Sequence, residues 1–372
     1  MRVGLIVPGF SADQADWCIP AVRDLARGLA AADDVTVISV RYPYRSDTYR
    51  VDGVPVLALG GARRRGAAVL PLWRQALSRL RDMHRRQAFD VLHAFWATES
   101  GLLAAVAGRV LKVPVLVSLA GGELVNLPDI GYGDQRSAWE RLKVRASLRL
   151  ATAVSCGSEY LLRLARGHAP GADLHVAPLG VDLQMFRADA RSTARAPRLV
   201  HVGALVPVKD QAMLLRAFAG VRQAVRGVTL DLVGTGPLRG VLEHLAADLG
   251  LRGAVRFIGE FDHARLSAAY AGASAFVLSS RHEAQGMVVL EAAACGVPTV
   301  GTAVGVVPEF APSAEAVPVG QADALADALR GVLDDPPRAL GMASAAREMA
   351  ETRFGLQTSV DRFRRLYGRV TA

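Results

Sequence analysis

Two glutamates and a lysine are the residues of this sequence whose types and spacing suggest chemistry. Glu283 and Glu291 are separated by seven residues inside the stretch AFVLSSRHEAQGMVVLEAAACGVPTVGT, Ala275 to Thr302, with Gly286 between them. A glycine at that point lets a ligand approach the backbone, and the amides of Gly286, Met287 and Val288 would open the next helix with N–H groups aimed at an anion. Glu291 falls among Val289, Leu290, Ala292, Ala293 and Ala294. A carboxylate in so apolar a helix is expected to be held for a hydrogen-bonding task and not to be an ordinary solvated glutamate. Lys209 ends the run Gly203-Ala204-Leu205-Val206-Pro207-Val208-Lys209 just ahead of a helical segment. A glycine turn, a helix dipole and an ammonium converge there on a second anion position.

These residues require a strand–loop–helix scaffold. Ala275–Leu278 reads as a buried strand, the helix after Gly286 is stopped by Gly296-Val297-Pro298, and a second short strand follows, which makes one βαβ unit. Lys209 follows the strand Arg198–Val202 and precedes the helix Ala212–Ala224. The strand Thr229–Val233 runs into Gly234-Thr235-Gly236-Pro237, and Val255–Ile258 into Gly259-Glu260-Phe261. The pair Gly234 and Gly236 is not a dinucleotide fingerprint, because Arg239 stands at the third glycine position. Gly301 to Glu309 adds a further glycine turn, and Leu325–Leu333, Ala339–Thr352 and Thr358–Val370 read as helices. Upstream, the strands Arg2–Val7, Val35–Val40, Pro55–Leu59, Asp90–Phe95, Val113–Leu119, Ala151–Ser155 and His175–Ala177 alternate with helices at Ile19–Ala31 and Gly101–Leu111. Ligands in open α/β sheets bind outside the carboxyl ends of strands, which singles out His93, Trp96, Glu99 and the run Ala120-Gly121-Gly122-Glu123. His93 is equally suited to be a satisfied core histidine.

The pattern E-x7-E followed by A-x-x-x-G-x-P-x-V resembles the donor-sugar motif of retaining glycosyltransferases of family 4. The resemblance implies the α/β GT-B fold, two Rossmann-like domains facing across a cleft, with the last helix crossing back to the first domain. It implies an N-terminal acceptor-side domain over 1–186, a linker over 187–197, a nucleotide-sugar domain over 198–355 and a returning helix over 356–372. In that family the first glutamate lies against the transferred sugar and the second holds the donor's ribose, here Glu283 and Glu291. The run Gly203 to Asp210 is similar to the diphosphate-binding loop, though many relatives carry arginine at the position of Ala204. Gly234 then falls on the donor side, and Gly259-Glu260-Phe261 is similar to the segment whose backbone faces the nucleobase. Gly9 stands where the family usually has a glycine pair, and Ala120 where it often has a histidine. Gly9, His93, Trp96, Glu99, Gly121, Gly122 and Glu123 become acceptor-side candidates.

The reaction so implied moves a sugar from a nucleotide diphosphate donor to an acceptor hydroxyl with retention. Lys209 and the helix-end amides would hold the diphosphate. Glu283 would offset the positive charge of an oxocarbenium-like transition state; at ~5 Å and an effective dielectric of ~20 that is worth ~3 kcal/mol, or roughly a hundredfold in rate. No D-x-D pair occurs in the sequence, so a metal bridging the phosphates is not expected, nor any other cofactor. A nucleotide-sugar epimerase of the same fold and a catalytically silent sugar-nucleotide-binding protein remain alternatives.

Composition sets the outer bounds. At 372 residues, 51% hydrophobic and 21% charged, the chain suits two globular domains. Cys18, Cys156 and Cys295 lack metal-ligand spacing and are expected to be reduced thiols in a cytoplasm, and no apolar run suggests a signal peptide or membrane span. The net charge of +9 suits an anionic partner, but no nucleic-acid motif accompanies it. Two basic amphipathic stretches, Trp73 to Arg86 and Arg136 to Arg149, each begin near a tryptophan and suggest peripheral contact with an anionic membrane at its inner face.

Overall fold

The computed structural model describes residues 1–62, 69–187, 196–261 and 265–372, which fold as two compact α/β units. The linker expected over 187–197 falls largely outside those residues. The first unit comprises Met1–Gly180 together with Leu356–Ala372 and the second Val181–Gly355. Residues 181–186, expected to close the first domain, group with the second unit for identifiable reasons. The Val181 N–H donates to the Phe354 carbonyl at 2.8 Å, and Phe186 packs edge-on against Tyr270.

The first unit contains, in order, β1 (Arg2–Gly9), α1 (Pro20–Ala30), β2 (Asp34–Tyr42), β3 (Ser46–Val51), β4 (Val54–Leu59), α2 (Val69–Arg86), β5 (Val91–Phe95), α3 (Glu99–Leu111), β6 (Val115–Leu119), α4 (Ala138–Leu150), β7 (Ala153–Cys156), α5 (Glu159–His168) and β8 (Leu174–Val176). Its sheet has the order β3-β4-β2-β1-β5-β6-β7-β8. The central strands are almost continuously apolar because helices cover both faces of a parallel sheet. β3 is the antiparallel exception. Its sequence SDTYRV is too polar to read as a buried strand, and it lies at the sheet edge. What makes it a strand is the two-residue turn Asp52-Gly53, with φ of 50° and 78°, which pairs Val51 with Val54.

The second unit runs β9 (Arg198–Val202), α6 (Gln211–Ala224), β10 (Thr229–Val233), α7 (Arg239–Asp248), β11 (Val255–Gly259), α8 (Ser267–Tyr270), β12 (Ala275–Leu278), α9 (Met287–Ala294), β13 (Thr299–Thr302), β14 (Ala314–Val317), α10 (Ala322–Leu333) and α11 (Pro336–Arg353). All pairs in its sheet, β11-β10-β9-β12-β13-β14, are parallel. Strand order reverses between β9 and β12, and in the first sheet between β1 and β5. At such switch points the loops leaving neighbouring strands diverge and open a crevice at the carboxyl edge.

The final helix, α12 (Leu356–Thr371), belongs to the first unit. It packs on α1, where Gly28 makes room: a Cβ there would lie 2.5 Å from a Val360 methyl. Val360, Phe363, Leu366 and Tyr367 enter the same core as Val3, Leu5 and Leu25.

Candidate active site

Lys209 and Glu283 are 74 positions apart, yet Lys209 Nζ donates to Glu283 Oε1 at 2.5 Å. They meet because β9 and β12 are neighbours, so the loops that follow these strands leave the sheet side by side. Two further bonds tie the loops together: Ser279 Oγ donates to the Lys209 carbonyl at 2.7 Å and the Arg281 N–H to the Val208 carbonyl at 2.8 Å. Glu283 Oε1 also accepts from Ser280 Oγ at 2.6 Å. Burial alone would push the Glu283 carboxyl up. The Lys209 ammonium, the Ser280 hydroxyl and His282 outweigh it and hold the group below the ordinary glutamate range, so Glu283 stays an anion.

Glycines shape the floor. Lys209 Cδ and Cε would each lie 3.8 Å from a Cβ on Gly203, so the lysine stem runs over that residue. Gly234 adopts φ 133°, and a Cβ on it would sit 2.1 Å from the Gly203 carbonyl oxygen. Its N–H donates to the Gly259 carbonyl at 2.7 Å, which ties the end of β11, and with it the start of Glu260-Phe261, to the same floor. Glu260 is exposed and Phe261 half-buried. Underneath, the fully buried His201 braces the Lys209 loop. Its Nδ1 donates to the Val277 carbonyl at 2.9 Å, leaving Nε2 to accept from Gln211 Nε2 at 3.2 Å, and Gln211 also bonds the Ala204 carbonyl at 2.9 Å. Burial drives the His201 imidazole down to about 4, which keeps this brace neutral.

Gly286, at φ 91°, begins α9 and has no capping side chain. The N–H groups of Gly286, Met287 and Val288 thus open the helix as an anion-binding turn. Glu283 lies against it, with Cγ 3.8 Å from the place a Gly286 Cβ would take. From the other side Gly305, at φ 56°, would bring a Cβ within 2.9 Å of Glu283 Cβ. The Val306 N–H closes this contact by donating to the Gln285 carbonyl at 2.8 Å. Glu291 is 8% exposed and accepts from Tyr270 Oη at 2.7 Å, as its apolar surroundings require. Burial and the adjacent carboxylate push the Tyr270 phenol well up, so it remains a donor.

The structure therefore gathers Gly203, Lys209, Gly234, Glu283 and Gly286 around one pair of loops, with Met287 and Val288 at the helix start beside them. Sequence reasoning missed Ser280, Gly305, Tyr270 and the His201–Gln211 brace. Gly305 carried a signal, the isolated glycine of a G-x-x-x-G spacing after β13, whereas Tyr270 and Gln211 carried none beyond their burial.

The acceptor-side candidates divide differently. His93 has no exposed surface; its Nδ1 lies 2.7 Å from Tyr367 Oη and its Nε2 2.7 Å from Ser118 Oγ. It is the core histidine of the two readings, sandwiched between β6 and α12. Glu99 is bound by Arg41 through two nitrogens at 2.6 and 2.8 Å and by the Trp73 indole at 2.9 Å. Glu123 is wholly buried and accepts from the backbone N–H groups of Ala97, Ala120 and Gly121. Both carboxylates thus fasten loops. Burial pushes the Glu123 carboxyl up against the pull of those amides. Trp96 stands at φ 66°, an uncommon conformation for a bulky side chain, at the β1/β5 switch point. Its indole nitrogen would be 2.8 Å from a Cβ on Gly121, and a Cβ on Gly122 would meet the Tyr132 ring at a similar distance. Gly9 ends β1 under Tyr42 and Cys18.

The described residues hold no cluster of three or more histidine, cysteine, aspartate or glutamate side chains arranged for a metal, and none of their helices is long and apolar enough to cross a membrane. The three cysteines are thiols, Cys18 exposed and the other two buried.

Residues 19–180 match the model of the glycosyl transferase 4-like domain and residues 185–349 that of glycosyl transferases group 1. The chain is 35% identical over 237 residues to the GDP-mannose-dependent alpha-(1-6)-phosphatidylinositol monomannoside mannosyltransferase of Mycolicibacterium smegmatis, covering 57% of this chain and 62% of the relative. It thus spans less than two-thirds of that relative's length. It is 31% identical over 311 residues to D-inositol 3-phosphate glycosyltransferase 1 of Catenulispora acidiphila, covering 75% and 72% of the two chains. The fold is that of sucrose-phosphate synthase from Thermosynechococcus elongatus, with a TM-score of 0.80 at 20% identity over 100% of this chain and 99% of that one. With both domain models matched in order, one on each unit, and with Glu283 of the E-x7-E pair bonded to Lys209, the chain belongs to the family 4 type of GT-B glycosyltransferases.

Proposed function

We propose that this chain transfers a glycosyl residue from a nucleoside diphosphate sugar to an acceptor hydroxyl, with retention at the anomeric carbon and without a metal bridging the phosphates. The observation that carries this reading is the meeting of Lys209 and Glu283 beside the start of α9. As the bond from the sugar to the diphosphate breaks, negative charge grows on the leaving group and positive charge on the sugar. Lys209 and the amides of Gly286, Met287 and Val288 are suited to the first charge and Glu283 to the second. Paired in this way the two side chains neutralise each other, so neither is left as an isolated partly buried charge. A diphosphate would draw Lys209 toward itself and leave Glu283, still bonded to Ser280, for the sugar. Glu291, held by Tyr270, would take the ribose hydroxyls. The positive charge supplied by Lys209 and the helix start, and the lack of any D-x-D pair, support a metal-free mechanism.

The name of the mycobacterial relative makes GDP-mannose the first donor to try. A thermal-shift panel of nucleotides and nucleotide sugars should give selective stabilisation by one nucleoside diphosphate and its sugar. That donor should then release nucleoside diphosphate in the presence of an acceptor, with chelator leaving the rate unchanged and the product keeping the donor's anomeric configuration. Loss of activity in chelator with rescue by magnesium or manganese would overturn the metal-free mechanism, and an inverted product the assignment of retention.

A further inference from the structure

Two helices of the first unit combine a tryptophan with a run of arginines, and their packing sets them apart. On α2 the Trp73 ring is half-buried and its indole is bonded to Glu99, so this tryptophan braces the helix against α3. On α4 the arrangement is reversed. Trp139 is 63% exposed and Leu142, one turn on, is 55% exposed, while the opposite side of the helix buries Val144, Ser147 and Leu148. Arg136, Arg141, Arg145 and Arg149 are all exposed around this apolar pair. From Arg136 to Arg149 the stretch carries five basic residues against one acidic residue, Glu140, which is paired with Lys143 at 2.7 Å. Arg145 and Arg149 also line a cavity of about 770 Å³ together with Thr152 and His168; its acidic wall residue, Asp173, pairs with His175 and Arg369.

We propose that the exposed face of α4 docks on an anionic phospholipid bilayer, with Trp139 and Leu142 entering the interface and the arginines meeting headgroup phosphates. The combination selects this occupant. A nucleic acid duplex would use the arginines and leave Leu142 in water, whereas an acidic protein face would need a pocket shaped for both apolar side chains. A fluid interface takes an apolar pair and a basic surround together, with no shape to match. α4 starts after the loop that leaves the carboxyl end of β6 and ends just before the amino end of β7, so its exposed face from Trp139 to Arg149 runs along the side of the sheet. The docking does not rest on the transferase reading.

The test is co-sedimentation of the whole chain with vesicles of phosphatidylcholine alone and of phosphatidylcholine with about one-third phosphatidylglycerol. The chain should sediment with the anionic vesicles, and its partition should fall as salt rises. Arg145→Gln with Arg149→Gln should lower partition by about twenty-five-fold, at roughly fivefold per arginine. Trp139→Ser with Leu142→Ser should lower it at every salt concentration. Arg85→Gln with Arg86→Gln on α2 should leave it unchanged. An unaltered circular dichroism spectrum and denaturant midpoint in the α4 variants would show that they fold, and vesicle binding is read without donor, so failure of docking is distinct from failure of the transferase reading. Equal sedimentation with neutral vesicles, binding that survives in the folded α4 variants, loss of binding only in the α2 variant, or binding to duplex DNA with none to vesicles would each overturn the proposal.

Discussion

Glu283 is an anion because Lys209 is beside it, and that dependence can be measured. Burial raises its carboxyl and the ammonium is the largest influence lowering it, so Lys209→Ala leaves burial with much less opposition. The acidic limb of the activity profile is then expected to move to higher pH, since more acid-side protonation reaches the carboxylate. The same variant should weaken nucleoside diphosphate binding by roughly ten- to a hundredfold, the worth of one charge-assisted bond to phosphate. Glu283→Gln should lower turnover by roughly a hundredfold while changing donor affinity far less. Because the two side chains share a bond, the double variant should lose less than the sum of the single losses, with a coupling of ~0.5–3 kcal/mol. Strict additivity in calorimetry and initial rates would count against their acting as one unit. The two glutamates were legible in the sequence through their spacing and the apolar neighbours of Glu291. The Lys209–Glu283 pair was not, since contact between residues in different βαβ units depends on strand order, which local pattern does not reveal. The same reason hid the partners of Glu99 and Glu123 that are distant in sequence: Arg41 lies at the end of β2 and the Ala97 amide in the loop after β5.

At the scale of the element, the strands most easily read were those buried on both faces, β1, β5, β6, β9 and β12, where apolar runs leave little choice. Edges were harder. β3 is polar along its length and owes its strand to the Asp52-Gly53 turn and its pairing with β4. Loops leaving strands were located correctly but their conformations were not, because a positive φ or a close backbone approach has no signature beyond the glycine itself. Gly234 is the sharpest case. An added methyl there meets the Gly203 carbonyl oxygen at 2.1 Å in a backbone region that side chains rarely adopt, so the floor beneath Lys209 must move. Gly234→Ala is expected to cost ~2 kcal/mol or more of stability in denaturant titration and to abolish selective stabilisation by donor in a thermal shift. Gly240→Ala, inside α7 with open space at its Cβ, is the matched control and should be neutral or slightly stabilising.

At the scale of the whole molecule each unit carries one buried neutral histidine in its sheet, His93 in the first and His201 in the second. Burial lowers their imidazoles to about 3 and about 4, below the unfolded value of ~6.5. Between those values the unfolded chain binds a proton that the fold refuses. Stability is therefore intact above ~6.5, falls as pH drops toward 4, and does so by ~1.4 kcal/mol per pH unit for each histidine. Denaturant midpoints taken from pH 7 to pH 4.5 should show this slope, and His201→Asn should flatten it for the second unit alone. A midpoint independent of pH over that window would mean the imidazoles are protonated in place. α12 bears on the molecule in another way, through the order in which the chain is made. Its four core side chains contribute, at ~1.5–3 kcal/mol each, as much as a whole domain's net stability. Yet α12 leaves the ribosome only after all of the second unit has emerged. The half of the protein that is synthesised first is thus the last to be completed, and it must wait with the groove for α12 and the ring of His93 uncovered until its final helix arrives.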